Sequence, residues 1–236
     1  MSNSINQFGQ TIGPSLPDWT QRPRPPRTVL EGHYCRVEPL DPALHAADLF
    51  AANSAAPDGR LWTYLPQEPF ATQESYREWL ERMAPSEDPL FFAIRDLADG
   101  KAAGLAAYLR IDPAMGSIEI GHLNFSPRLQ KTRAATEAQF LLADNALSKL
   151  GYRRYEWKCD SLNAPSRVAA RRLGFTFEGV FRQAVVYKGR SRDTAWFSIT
   201  DGEWPAIRQA YLEWLAPANF DEDGRQRCKL QTHSSD

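Results

Sequence analysis

"LQKTRAATEAQFL", residues Leu129 to Leu141, is the point at which a run of strands gives way to a helix. After its polar start, Phe140, Leu141, Ala143, Leu147 and Leu150 recur at helical spacing, which predicts an amphipathic helix from about residue 131 to 150, stopped at Gly151. The first amides of a helix have no partner within it and sit at its positive end, so basic residues beside them suit a bound phosphate. Phosphate cradles are usually rich in glycine, however, and this stretch has none. An anion site and an ordinary helix start are both open on this stretch alone.

Working outward, the preceding segments "PLFFAIRDL", "AAGLAAYLRI" and "SIEIGHLNF" read as three strands joined by the turn-rich links "ADGK" and "DPAMG". Before them lie a strand in "TVLEGHYCRVEPL", a helix in "DPALHAADLFAANSAA" with Asp41 as cap and Pro42 at its first position, a loop "PDGRLWTYLPQEPF", and a helix capped by Thr72. After the central helix come a strand "RRYEWKCDS", a short helix "APSRVAARRL" closed by Gly174, a hairpin turning at "GRSR", and a last helix "GEWPAIRQAYLEWL". The order β-αα-βββ-α-β-α-ββ-α, a meander running into a βαβ unit, predicts an α+β fold. Residues 1–27, ending in "RPRPPR", read as a polar Pro-rich arm; residues 28–216 form the domain, and residues 217–236 a loose polar tail.

The bulk properties narrow the function. With 28 basic residues against 29 acidic and a net charge of −1, broad phosphate neutralisation is not the design, and no direct nucleic-acid binding is expected. Three scattered cysteines without a CxxC pair and four histidines without ligand spacing point away from a disulfide framework or a metal site. No apolar run spans a membrane and no signal-peptide core is visible, so a soluble cytoplasmic protein is expected.

Glu119 lies inside an otherwise apolar strand. A buried carboxylate there is costly unless paired or used, and burial would raise its pKa toward that of an amine-deprotonating base; a cross-strand ion pair is the alternative. His122 is either a packed histidine or a site residue. Asn163 and Ser166 are explained by capping alone. No GxSxG, Walker or GxGxxG pattern occurs.

Taken together, "SPRLQKTRAATEA" and "NAPSRVAARRLGFTFEG" resemble the acyl-CoA-binding half of GNAT-type N-acetyltransferases, in particular the RimJ/RimL (ribosomal-protein N-terminal acetyltransferase) branch, over about residues 30–200. The resemblance implies the GNAT acyl-CoA N-acyltransferase fold, a mixed and mostly antiparallel sheet flanked by helices. It implies acetyl-CoA as cosubstrate with no metal. Pantetheine would lie where Leu123, Asn124 and Phe125 splay from the next strand, and Gln130, Lys131, Thr132, Arg133, Ala134 and Ala135 would wrap the pyrophosphate with Thr136 adding a hydroxyl. Arg133 stands where the family pattern has its central glycine. By the same resemblance Asn163 contacts pantetheine, Ser166 sits near the sulfur as the candidate acid, and Glu119 is the base. Trp62, Tyr64, Phe70 and His122 would line the amine site, with Glu68 and Asp193 as nearby charges, Asp193 being expected to pair with Arg190 or Arg192. The acceptor would be a protein N-terminal α-amine or a small amine, and a homodimer is possible. Rival functions are a non-catalytic acyl-CoA-binding module, acetylation of an aminoacyl or peptide-nucleotide toxin for self-protection, and RNA or ribosome docking through "RPRPPR".

Overall fold

The computed structural model describes residues 3–56 and 58–232; the first two residues of the arm, Pro57 at the head of the early loop and the last four residues of the tail lie outside it. A small hairpin of β1 (Ser4–Ile5) and β2 (Thr11–Ile12) precedes the domain. The domain then runs through β3 (Leu30–Glu31), β4 (Cys35–Pro39), α1 (Pro42–Ser54), α2 (Gln73–Met83), β5 (Leu90–Asp96), β6 (Lys101–Asp112), β7 (Ser117–Phe125) and α3 (Arg133–Asp144). It continues with β8 (Arg154–Asp160), α4 (Ala164–Arg172), β9 (Thr176–Tyr187), β10 (Arg190–Thr200) and α5 (Trp204–Leu215). The eight main strands form one sheet in the order β3-β4-β5-β6-β7-β8-β10-β9, in which only β7 and β8 run parallel. This is the expected α+β plan.

The caps behave as their chemistry dictates. Asp41, Thr72, Thr132 and Asn163 each accept a hydrogen bond from a first-turn amide of the helix that follows. The central helix is shorter than expected: α3 ends at Asp144, and its last turn, Asn145–Lys149, widens to π geometry before Gly151 turns left-handed at φ 72°. One face of the sheet packs on α3, α4 and α5 through Ile118, Ile120, Ala138, Leu142, Ala170, Phe197 and Tyr211. The other packs on α1 and α2 through Leu49, Tyr76, Leu80, Phe91 and Leu105.

A single carboxylate docks α3 onto the sheet edge. Glu137, buried at 4% exposure, accepts hydrogen bonds from the amides of His33 (2.8 Å), Tyr34 (2.6 Å) and Cys35 (2.8 Å) in the β3–β4 turn. Gly32 closes that turn, and a Cβ there would collide with the Glu137 carboxylate.

Parts of the arm and of the tail lie against the domain. In the arm, Arg24 and Arg27 of "RPRPPR" donate to the carbonyls of Glu87 and Ser86, Tyr152 donates to the Pro23 carbonyl, and Trp19 packs over Gly116. The tail differs from the loose segment expected. Phe220 and Leu230 are buried, Phe220 bridges Gln226, and Trp214 Nε1 donates to the Gln226 side chain. Its polar composition concealed two apolar anchors spaced ten residues apart.

Glu137→Ala leaves three amides of a tight turn without acceptors. At about 1–3 kcal/mol for each orphaned group, the loss is at least ~3 kcal/mol, or a Tm lower by roughly 6 °C or more for a chain of this size. Gly32→Ala shifts Tm in the same direction, and calorimetry on both variants checks the clamp.

Candidate active site

The strand that carries Glu119 does not run straight. Gly121 pairs with Ala107 and Asn124 with Leu105, so His122 and Leu123 together oppose Ala106 alone. This is a β-bulge, and His122 takes the left-handed conformation at φ 52°. The parallel ladder to β8 joins Ser117 with Arg154 through Ile120 with Trp157 and then stops. Beyond that rung, Gly121–Phe125 and Lys158–Asp160 are no longer paired, and this break between the two strands is the gap. The buried polar atoms here lack partners: both ends of the Asn124 amide, His122 Nε2 and Ser126 Oγ. Buried polar groups are normally satisfied, so this set is built for a bound molecule or water.

The start of α3 opens onto the same gap. Lys131, at φ 62°, makes the left-handed turn that a glycine would ordinarily supply. Thr132 then caps the helix, accepting from Ala135 N at 3.1 Å and donating to the Leu129 carbonyl at 2.7 Å. Among the described residues the amides of Arg133 and Ala134 find no acceptor, which leaves two aligned donors at the positive end of a twelve-residue helix. The Arg133 guanidinium does not add to them as the sequence suggested. It is held between the rings of Tyr34 and Phe220, 4.7 Å from each centroid. Gln130 is similarly occupied, donating to the Phe125 carbonyl at 2.7 Å. The Thr136 hydroxyl is buried, donating to the Thr132 carbonyl and accepting from Arg172 of α4.

On the far wall, Asn163 caps α4 by accepting from Ser166 N, and Ser166 Oγ accepts from Trp157 Nε1 at 3.0 Å. The hydroxyl therefore sits at the mouth of the gap.

Glu119 lies on the α1/α2 face, 3% exposed, and its Oε2 is 2.7 Å from Arg110 Nη1 and 3.0 Å from Lys158 Nζ. Burial raises its carboxyl above the ordinary glutamate value, and the two cations only partly hold it down. Lys158 also contacts Glu156 at 2.7 Å and stands 3.6 Å over the Trp196 ring. The structure thus unites the two alternatives for Glu119: it is ion-paired and it is perturbed upward. His122 stacks on Trp79 at 5.8 Å, edge to Phe91 at 4.9 Å, and desolvation lowers its pKa to about 4. It is neutral in ordinary buffers.

The expected amine-site residues divide. Trp62 is buried in an aromatic cluster with Phe70 and Tyr76, with Trp79 packed against those two, so its ring belongs to the core; only its carbonyl meets the site, accepting from Lys188. Phe70 bridges that cluster and the loop surface. Tyr64 alone reaches over the gap, its hydroxyl donating to the Leu162 carbonyl at 3.2 Å. Glu68 pairs with Lys188 at the hairpin tip, and Asp193 accepts from Gln183 N, not from Arg190 or Arg192 as expected, because the bulge in the hairpin leaves that amide without a ladder partner. Lys158, Asp160, Arg110 and Tyr187 were not anticipated. Glu156, Lys158 and Asp160 recur with period two, the signature of one charged strand face, and that signal was available in "RRYEWKCDS". Among the described residues, no group of three His, Cys, Asp or Glu side chains is placed to hold a metal.

A family model for the acetyltransferase (GNAT) domain matches residues 36–176. A GCN5-related N-acetyltransferase from Brucella melitensis shares 52% identity, covers 91% of this chain and 97% of its own, and superposes with a TM-score of 0.89. A probable GNAT-family acetyltransferase from Chromobacterium violaceum shares 44% identity over 82% of this chain and 96% of its own, with a TM-score of 0.75. RimL, a ribosomal-protein α-N-acetyltransferase, is 19% identical over 73% of this chain and 94% of its own, with a TM-score of 0.62, and shares the fold. No curated protein matches the chain.

The depressed His122 pKa makes a stability prediction with a definite sign. The unfolded chain protonates this histidine near pH 6.5 while the folded one resists until about pH 4. The stability it contributes is therefore present above pH 6.5 and is lost as pH falls through that window, by up to roughly 3 kcal/mol. In His122→Asn, which tolerates the left-handed backbone, urea midpoints between pH 7 and 4 should fall less steeply than in the native protein.

Proposed function

The chain belongs to the GNAT acetyltransferase family, and from that premise we propose that it transfers the acetyl group of acetyl-CoA to a primary amine, either a protein N-terminal α-amine or a small amine, in a direct ternary complex. The observation that carries this reading is the open gap between β7 and β8 beside the two free amides of α3. These amides suit the pyrophosphate, and the gap with its orphaned Asn124 suits the pantetheine and thioester. The RimJ/RimL-like branch is supported by the motifs in "SPRLQKTRAATEA" and "NAPSRVAARRLGFTFEG".

In the proposed mechanism, a backbone amide at the bulge, near Leu123 or Asn124, donates to the carbonyl oxygen as negative charge develops there. The acceptor nitrogen forms the new C–N bond as the C–S bond breaks, and the thiolate leaves as CoA. Glu119 takes the proton released by the ammonium, directly or through water, and burial, which raises its carboxyl above the ordinary glutamate value, makes it a stronger proton acceptor. Ser166, at the mouth of the gap, is the candidate proton donor to the leaving sulfur. No helix among the described residues is long and apolar enough to cross a membrane, and all three cysteines are free, which supports a cytoplasmic enzyme.

Two measurements test the reading. Saturating acetyl-CoA, at about a hundred times its Kd, adds ~2.7 kcal/mol to the folded state, a rise of roughly 5–10 °C in Tm. Arg133→Ala should keep that rise, whereas Arg133→Pro, which removes the amide at a helix position where proline is tolerated, should lose most of it. The absence of any rise in the native protein refutes the cofactor site. Separately, Glu119→Gln should lower kcat by about 10²-fold or more while leaving the acetyl-CoA affinity in place. Equal loss of both would make Glu119 a structural group.

A further inference from the structure

We propose that Asp160 is the docking group for the positively charged amine of the acceptor. This rests on the acetyltransferase reading and deepens it by assigning the charge that selects the second substrate. Glu119 and Glu156 are cross-strand partners, so alternation along β8 puts Lys158 and Asp160 on the same face as Glu119. Asp160 stands three residues past the last rung, Ile120 with Trp157, on the part of β8 that no longer pairs with β7.

Asp160 differs from the other buried carboxylates of the described chain. Glu38 is paired with Arg36 and Arg95, Glu119 with Arg110 and Lys158, and Asp144 with Arg208, while Glu137 takes three amides. Asp160 is 6% exposed yet has only two neutral donors, Leu162 N at 2.9 Å and the Tyr187 hydroxyl at 3.0 Å. Among the described residues, no lysine or arginine forms an ion pair with it. Of the nearby cations, Lys158 is held by Glu119 and Glu156 and Arg167 donates to the Ser161 carbonyl, while Arg192 lies 5.8 Å over the Tyr187 ring with its Nε unpartnered among the described residues, and none of the three bonds Asp160. Glu137 also lacks a cation but is saturated by three amides, whereas Asp160, with one donor on each oxygen, keeps acceptor capacity free for a cation.

A second observation points the same way. Thr194 faces Asp160 directly across the β8–β10 ladder, is 4% exposed, and its hydroxyl has no partner among the described residues. A carboxylate and a free hydroxyl, with the Tyr187 ring beside them and Tyr64 reaching over to Leu162, offer an ammonium a charge-assisted hydrogen bond, a neutral acceptor and aromatic faces. An uncharged or anionic acceptor would leave the Asp160 charge unmatched. The docking role is distinct from that of Glu119, whose charge is already balanced within the protein.

Release of the CoA thiol from acetyl-CoA, followed over a panel of tripeptides with free N-termini and of small mono- and diamines, supplies the test. With the best acceptor, Asp160→Asn is expected to raise the amine KM roughly tenfold or more, with the KM for acetyl-CoA unchanged and kcat little altered. Thr194→Val should raise the amine KM several-fold without lowering Tm, because it deletes a hydroxyl that makes no bond within the protein. An unchanged amine KM in these variants overturns the docking assignment and leaves the acetyltransferase reading standing. If Asp160→Asn fails to fold, Thr194→Val decides by itself on the same criterion. Native protein that binds acetyl-CoA but acetylates no amine in the panel overturns both.

Discussion

Between Ile120 and Gly121 the parallel ladder joining β7 to β8 runs out, and the site depends on that break. Every other neighbouring pair in the main sheet is antiparallel, while β7 and β8 are joined by a crossover through α3. The bulge at His122 and Leu123 adds a residue to β7 on the β6 side, so β7 bends while β8 continues along its own partner β10. Around the break, Glu119 bonds both the exposed Arg110 of β6 and the buried Lys158 of β8, and Lys158 also holds Glu156, so that charges tie three strands together. Those ion pairs hold the strands at the root of the gap, which limits the splay to the far half.

The position of α3 is the second determinant. Its amides are useful only if the helix start stays at the mouth of the gap, and Glu137 fixes the helix to the β3–β4 turn one turn further along. Arg133, on the same side of the helix, is clamped between Tyr34 and Phe220, and so ties the C-terminal segment to the same turn. The charge at the helix start is consequently a main-chain charge. This explains how the chain dispenses with glycine: Lys131 takes the left-handed turn, Thr132 caps, and a side chain at position 133 is harmless because it points away from the amides it follows.

The face of the sheet below α1 and α2 is chemically divided. Toward β5 and β6 it is aromatic and dry, with His122 neutral among Trp79 and Phe91. Toward β8 and β10 it carries alternating charges and the unpartnered Thr194 hydroxyl. The break in the ladder lies along this boundary, and under the proposed direct transfer the two substrates would meet there from opposite sides with their reacting atoms in one place.

Much of this was legible in the order of residues. Periodicity and punctuation located the principal strands and helices, and Asp41, Thr72 and Asn163 identified their caps, because these features depend on contacts within a few residues. The motifs around Gln130–Thr136 marked the start of a helix for the same local reason, and Glu119 stood out as a charge in an apolar strand. What sequence could not show is any property arising between distant segments. It placed Trp62 in the amine site, where packing made it core, and gave Arg133 a role for its charge, where Tyr34 and Phe220 had taken the guanidinium. It read the tail as loose, although Phe220 and Leu230 anchor it. Above all, the bulge at His122, the end of the β7–β8 ladder and the lack of a cation at Asp160 are matters of register and neighbourhood. By itself the sequence determined which segments become strands and helices, since that follows from local hydrogen bonding and hydrophobic spacing. Only the tertiary structure decided which polar groups are left without partners, because burial and pairing are settled by residues brought together from far apart in the chain.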